Sequence, residues 1–281
     1  MKISIVFSVF NKSSYTKQCL DKLFEIVDLN IFSIIVVNDG STDGTNEILK
    51  LYDKKIYVLN GDGKFFWSKS MNIGLEYAFS ILNSDFVTCW NNDILCRSDY
   101  FDNLINIVSK HNIKNTLIGS KVFYLEPNDL IFTYGCYFNN LNGKSLFNGN
   151  LKYDSIEFAT PLNVDWCGGM GLTIPKEAYK VVGNFDNYNF PQYKADSDFC
   201  LRAKYVEINL VCYPDLIIYN DVCNSGLGEY SQSLIDFLRS FTAINSTMNI
   251  INNIKFIYKH CKGLFGYFYF FYTLIKYIIK Y

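Results

Sequence analysis

The chain has little arginine, histidine or proline. Three arginines (97, 202 and 239), two histidines (111 and 260) and five prolines are spread over 281 residues. With a formal net charge of −1 there is no basic field to neutralise phosphates, which argues against a nucleic-acid partner. No proline-rich linker, internal repeat or low-complexity tract appears, so solenoids and linker-joined arrays are set aside. None of the nine cysteines forms a Cys-x-x-Cys pair, their number is odd, and most sit inside apolar runs. That pattern predicts buried, reduced thiols in a cytosolic protein rather than a disulfide framework. The apolar residues 3–10 give way at once to Asn11-Lys12-Ser13-Ser14, too short a run for an export signal and suited to a strand. Residues 8–14 contain no glycine, so the Gly-x-Gly-x-x-Gly turn of a dinucleotide-binding oxidoreductase is missing.

What the chain does have is apolar mass. Hydrophobic residues make up 49% and aromatics 17%, with 22 Tyr and 24 Phe, which supports a large core and excludes disorder as a whole-chain description. The length suits one large domain or one and a half ordinary ones. Charge is unevenly placed. Residues 255–281 hold five lysines and no acid, while the remainder holds 21 basic and 27 acidic residues. An acidic body with a basic aromatic tail predicts a membrane surface as partner. Within the tail, residues 263–275 are uncharged, too few for the roughly 20 that span a bilayer. An amphipathic helix in the headgroup region, a core-packing helix and a homodimer contact all remain open.

The first hundred residues alternate strand and helix signals. Residues 3–10 read as a strand buried on both faces, 33–37, 56–59 and 86–90 as further strands, and 15–27, 45–52 and 68–83 as helices. This is the signature of an open, mostly parallel α/β sheet with flanking helices. Ligands in such sheets sit at the carboxyl ends of the strands. Here those ends read Phe10-Asn11, Asn38-Asp39-Gly40-Ser41, Asn60-Gly61-Asp62-Gly63 and Asn91-Asn92-Asp93. The middle, about 115–190, is glycine- and aromatic-rich and predicts a partly antiparallel extension that builds the second half of a cleft. Residues 195–205 read as a helix and 210–213 as a short strand. The expected organisation is a domain over 1–225 followed by a helical extension over 226–281.

A carboxylate at a strand end, as in Asn91-Asn92-Asp93, suits a hard divalent cation that bridges substrate phosphates; the competing reading is a plain turn. Beyond that pattern, the chain resembles the family 2 glycosyltransferases of the GT-A fold. Phe7-Ser8-Val9-Phe10-Asn11, Val37-Asn38-Asp39-Gly40-Ser41-Thr42-Asp43-Gly44-Thr45 and Asn91-Asn92-Asp93 look like the opening blocks of that family. Gly168-Gly169-Met170-Gly171 and Ala195-Asp196-Ser197-Asp198-Phe199-Cys200-Leu201-Arg202 resemble two further blocks in the right order. Gly61-Asp62-Gly63, Trp67, Met71-Asn72 and Gly74 are similar to a subgroup that includes bacterial rhamnosyltransferases. The resemblance covers about residues 1–225.

It implies an inverting transfer from a dTDP- or UDP-linked sugar to a glycan or lipid-linked acceptor in bacterial surface polysaccharide synthesis, assisted by Mn or Mg. Phe10, Asn11, Asp39, Asp62, Gly63, Asn72, Asn91, Asn92, Gly168 and Gly169 fall on the donor side. Asp39 is implied to accept a hydrogen bond from the base or ribose. Asp93 matches the last position of the Asp-x-Asp metal motif, whose first aspartate is Asn91 here. Asp196 matches the catalytic base, with Ala195 where another acid is usual. Trp166 and Asp198 fall on the acceptor side, although an Asp near a helix start also caps the first turn. The family's downstream metal-binding His is missing. Tyr219-Asn220-Asp221-Val222-Cys223-Asn224-Ser225-Gly226 stands in its place, so Asp221 or Asn220 is the expected oxygen ligand. Trp67 reads as core, and His260 as a solvated residue of the tail. A non-catalytic sugar- or partner-binding module on the same fold is the alternative that the losses at Asn91 and Ala195 leave open.

Overall fold

Residues 3–9 form a strand buried along nearly its whole length, as an apolar run covered on both faces requires. The computed structural model describes residues 1–110, 113–221 and 233–280; His111, the stretch 222–226 with Cys223, and the boundary expected at 225 lie outside them. From the N-terminus the elements are β1 (Ile3–Val9), α1 (Ser13–Ile26), β2 (Phe32–Asn38), α2 (Thr45–Lys50), β3 (Ile56–Asn60), α3 (Phe66–Glu76) and β4 (Phe86–Cys89). Strand β1 pairs parallel with β2 on one side and with β4 on the other, and β3 extends the ladder beyond β2. The helix expected over 68–83 is α3 followed by a π-helical turn, Tyr77–Ile81.

Next come β5 (Ile94–Cys96), α4 (Tyr100–Lys110), β6 (Thr116–Tyr124), β7 (Leu130–Thr133), β8 (Cys136–Asn139), β9 (Lys144–Phe147), β10 (Lys152–Tyr153), β11 (Leu162–Asn163) and β12 (Thr173–Pro175). Strand β12 runs antiparallel to β4 and to β6, so the parallel half of the sheet ends there and the order is β10-β7-β6-β12-β4-β1-β2-β3. Then follow α5 (Lys176–Val182), α6 (Ala195–Tyr205), β13 (Asn209–Asn220), α7 (Leu234–Ser240), α8 (Ile250–His260) and α9 (Phe265–Lys280). The short strand expected over 210–213 is in fact the twelve-residue β13, which pairs parallel with β6. Pro214 lies inside β13. In the fold it falls at a register shift between Tyr213 and Ile217, where a missing N–H is tolerated.

The sheet separates two cores because successive residues of a strand face opposite sides. Val6 of β1 and Ile35 of β2 join the cluster beneath α3, α5 and α6. Ile3, Ile5 and Phe7, with Ile34 and Val36, join the cluster on the other face, with α1 and α4. All eight described cysteines are unpaired thiols, as expected.

The basic tail is not one element. The chain leaves the helical conformation at Cys261, and Gly263 takes a φ of 81°, which separates α8 from α9. Asn252, Phe256 and His260 recur at helical spacing on the buried face of α8. His260, read from the sequence as solvated, is therefore core. Among the described residues no helix is long and apolar enough to cross a membrane.

Helix α3 lies close on the sheet because Gly74 has no side chain. A Cβ there would come within 2.2 Å of Val6 Cγ1 on β1. Although alanine favours helices by about 1 kcal/mol over glycine, Gly74→Ala is expected to destabilise the protein by about 1–3 kcal/mol, because the buried strand cannot retreat. Urea denaturation of the two proteins checks this; equal midpoints would contradict the close packing.

Candidate active site

A cleft of about 1130 Å³ opens where β1, β2 and β4 end. Phe10, Asp39, Gly63, Asn91, Asn92, Asp93, Trp166, Gly168, Gly169 and Asp196, all singled out in the sequence, line it. The partly antiparallel segment supplies a second wall through residues such as Phe132, Cys136 and Phe147.

Asp39 is 4% exposed, and both its oxygens are engaged. Gly63 donates its N–H to Oδ1 at 2.8 Å, and Phe65 and Phe66 donate to Oδ2 at 2.9 and 3.1 Å. The carboxylate therefore holds the β3–α3 loop against the end of β2. The approach is tight: a Cβ on Gly61 would meet Asp39 Oδ1 at 2.5 Å.

At the end of β4, Asn91 Oδ1 accepts from Trp67 Nε1 at 3.3 Å, and Asn92 Nδ2 donates to Thr16 Oγ1 at 3.1 Å. Asp93 Oδ2 lies 3.6 Å from Lys12 Nζ. Strand β13 brings Asn220 opposite Ile94, so its amide lines the cleft beside this turn. Among the described residues no group of three or more His, Cys, Asp and Glu gathers to hold a metal ion. Asp93 is the one carboxylate of the strand-end turn, its nearest cation is a lysine, and the amide oxygen of Asn91 is already used. These residues do not build a divalent-cation cage of their own.

Asp196 sits in the first turn of α6, half-buried. Gly169 donates its N–H to Oδ2 at 3.1 Å, and the N–H of Ser197 donates to Oδ1 at 2.7 Å. Burial raises the Asp196 carboxyl above its ordinary range, and the two backbone donors with the Lys194 charge oppose that only in part. Lys194, next to it and also on the cleft wall, is lowered by burial to about 8, against the attraction of Asp196. Gly169 is needed here: a Cβ would strike the Trp67 ring at 2.4 Å. Trp67, read from the sequence as core, packs partly buried against the core and also forms cleft wall, its indole spanning Asn91, Gly169 and Phe185. Trp166 meets Phe147 edge-on at 5.4 Å, and among the described residues its buried Nε1 has no hydrogen-bond partner; neither has the buried Ser70 Oγ of the same cleft.

Five residues assigned to the site from the sequence do not line the cleft. Asn11 bridges the ends of β1 and β2, its N–H donating to Ser41 Oγ and its Oδ1 accepting from Thr42 N–H. Asp62 is exposed, and its Oδ1 accepts from Lys64 N–H in a local turn. Asn72 on α3 is buried and clamps the backbone of Phe185 from both sides, at 2.9 and 2.8 Å. Asp221 follows Asn220 off the end of β13. Asp198 has no solvent exposure and points away from the cleft, into a buried charge cluster. Arg202 Nε lies 2.8 Å from its Oδ2, and Lys259 Nζ and His260 Nε2 lie 2.7 and 2.9 Å from its Oδ1. Burial alone would raise this carboxyl, but His260, Arg202 and Lys259 outweigh it and the net shift is downward. Lys259 also reaches Asp186 at 2.8 Å.

The sequence reading missed Lys12, Lys194, Gln192 and the contribution of the tail. The two lysines directly flank motif residues, Lys12 after Phe10-Asn11 and Lys194 before Ala195-Asp196, and that adjacency was the available signal. The tail contribution (Phe256 and Ile257 from α8, Gly266, Tyr269, Phe270 and Thr273 from α9) had none, because α8 and α9 reach the cleft only through tertiary packing.

A parallel half-sheet reversed at β12, with a cleft at its strand ends, is the GT-A fold, and solved structures of that kind are similar to this one. GalNAc-T7 with UDP, GalNAc and Mn2+ matches with a TM-score of 0.65 and 11% identity over 85% of this chain and 47% of its own. The mannosyltransferase PcManGT from Pyrobaculum calidifontis, in complex with GDP-Man and Mn2+, matches at 0.56 with 14% identity over 80% of this chain and 58% of its own. The family model described as Glycosyl transferase family 2 matches residues 4–161, more than half of the sequence, and the chain belongs to that family. An uncharacterized glycosyltransferase of Rickettsia bellii is 25% identical over 83% of this chain, and glycosyltransferase GlyA of Streptococcus pneumoniae is 31% identical over 37% of it. The chain spans 34% of the first and 14% of the second.

The charge cluster gives a stability prediction. Asp198→Ala strands Arg202, Lys259 and His260 without their shared anion and is expected to cost about 3–5 kcal/mol, read from chemical denaturation. Because the folded carboxyl is lowered, its stabilisation is present above the ordinary Asp value of about 3.9 and is lost as pH falls below it. In wild type the midpoint should decline in acid through that window, and in the variant this component of the decline should be missing.

Proposed function

We propose that the chain is an inverting glycosyltransferase that moves a sugar from a nucleotide-sugar donor to a hydroxyl of a glycan or lipid-linked acceptor. The observation that carries this reading is the convergence of Asp93 from one strand end, the loop ordered by Asp39 from another, and Asp196 from α6 on one cleft. Asp196 takes the proton of the acceptor hydroxyl as that oxygen attacks the anomeric carbon from the face opposite the departing diphosphate. Its raised carboxyl makes it a stronger base than an ordinary aspartate. The Gly169 N–H keeps one carboxylate oxygen in place without neutralising it. Trp166, with an indole N–H that lacks a partner among the described residues, suits an acceptor hydroxyl. The sequence blocks around Asp62, Trp67 and Asn72 favour a dTDP- or UDP-linked hexose or rhamnose, and a role in a bacterial surface glycan accords with the bacterial relatives.

The outer face of α9 favours work at a membrane surface. Phe265, Phe268, Tyr272, Ile275 and Ile279 recur at helical spacing and are exposed, Phe265 at 70% and Ile279 at 77%. No acidic residue follows Asp236, while Lys255, Lys262, Lys276 and Lys280 are in that stretch. An apolar helix face in a segment of one charge sign fits an anionic lipid surface.

Two experiments test these readings. Asp196→Asn should lower turnover of the matched nucleotide sugar by about 10²–10⁴-fold, read as nucleoside diphosphate release with a glycan acceptor, while thermal stabilisation by the nucleoside diphosphate is kept. In wild type the rate should fall as pH drops through a value above the ordinary Asp range, since the ionised base is the active form. Unchanged turnover in Asp196→Asn removes the reading. For the membrane, the full chain should sediment with vesicles containing phosphatidylserine and far less with neutral ones, and Phe268→Asp with Ile275→Asp should abolish the difference. A soluble dimer that ignores vesicles would assign the face to a second copy instead.

A further inference from the structure

Lys12 lies against the strand-end turn, whose one carboxylate is Asp93. It follows Phe10-Asn11 off the end of β1 with φ 59° and ψ 49°, a left-handed conformation seldom taken by a side chain of this kind. That backbone is held. Thr16 donates both its N–H and its hydroxyl to the Lys12 carbonyl at 3.1 and 3.2 Å, and the preceding Asn11 N–H is bound by Ser41. The side chain is 45% exposed, lines the cleft, and sets Nζ 3.6 Å from Asp93 Oδ2. An ion pair so open to water contributes little stability by itself, which leaves the ammonium free to exchange partners.

The charges on the cleft wall make that exchange matter. Asp39 is closed into its loop by three N–H donors, and Asp196 is paired with Gly169 beside Lys194 at the other end. Around Asn91-Asn92-Asp93 the anion is Asp93 and the cation is Lys12. A diphosphate brought to this strand end would meet an uncompensated aspartate if Lys12 were neutral. An ammonium has three donors, so one can remain with Asp93 while the others take phosphate oxygens.

We propose that Lys12 is a diphosphate-binding residue of the donor site, and that its ammonium provides the positive charge which the strand-end turn, with Asn91 and, among the described residues, with Asp93 in no group of three metal-ligating side chains, is not built to draw from a divalent cation. The chain then binds a nucleoside diphosphate with no metal added. This rests on the nucleotide-sugar reading above and names the group that recognises the donor's phosphates.

The test is calorimetric titration of the full chain with UDP, dTDP and GDP, in EDTA and again in Mn2+, for wild type, Lys12→Asn and Lys12→Arg. Asparagine tolerates the left-handed backbone and removes the charge; arginine restores the charge. The thermal midpoint of each unliganded variant reports its folding. Wild type should bind one of the diphosphates in EDTA, Lys12→Asn should bind it about ten- to a hundredfold more weakly while unfolding at a similar temperature, and Lys12→Arg should recover most of the loss. The matching nucleoside without phosphates should bind wild type and Lys12→Asn alike. Binding that requires Mn2+ and is indifferent to residue 12 overturns this proposal and leaves the glycosyltransferase reading standing. No binding of any diphosphate in either condition overturns both.

Discussion

The carboxylate of Asp198 is wholly buried, and a buried charge must be compensated or the fold cannot keep it. Compensation comes from Arg202 one turn further along α6 and from Lys259 and His260 at the end of α8. That requirement joins two parts of the chain separated by about sixty residues of sequence. It also orients α6: Asp196 and Asp198 are two positions apart on a helix, so they point to different sides. With Asp198 drawn into the buried cluster, Asp196 faces the cleft. The wall made by α8 and α9 is seated by the same contacts, and so the opposite side of the cleft depends on them too.

A comparable division runs through the strand ends. Asp39 satisfies three N–H groups of residues 63–66 and so holds that loop against the end of β2. Asn72 and Asn11 act likewise, each spending its polar atoms on neighbouring backbone. The residues left to meet a ligand are fewer than the motifs suggest: Asp93, Asn92 and Lys12 at one end, Asp196 and Lys194 at the other, with Trp67 and Trp166 as flat walls. A site whose polar residues are mostly occupied in holding one another is preorganised, which is what orientation of two substrates demands.

Much of the fold could be read in advance for a definite physical reason. The strands β1, β2 and β4 are short apolar runs covered on both faces, and α6 was expected with the ends it has. The reading failed where local signals conflict with packing. The strand read over 210–213 continues past Pro214, which sits at a bulge of β13, and His260 looked solvated because the tail's composition hides the register of α8. Trp67 does pack on the core, but that it also walls the cleft was not legible, since a large apolar side chain carries no mark of whether its last face is met by protein or by ligand.

The sequence by itself determined the alternation of strands and helices, the polar strand ends and the order of the motif blocks, because hydrophobic period and turn chemistry are local properties. It also singled out Asp39, Asp93 and Asp196 through the family blocks that contain them, and these three line one cleft. Tertiary structure alone decided which polar residues are left over for a ligand. It turned Asp198 inward and Asp196 outward, placed Lys12 against Asp93, and brought α8 and α9 to the cleft wall. Those outcomes depend on distances between residues far apart in the chain, and the pattern along the chain carries no record of such distances.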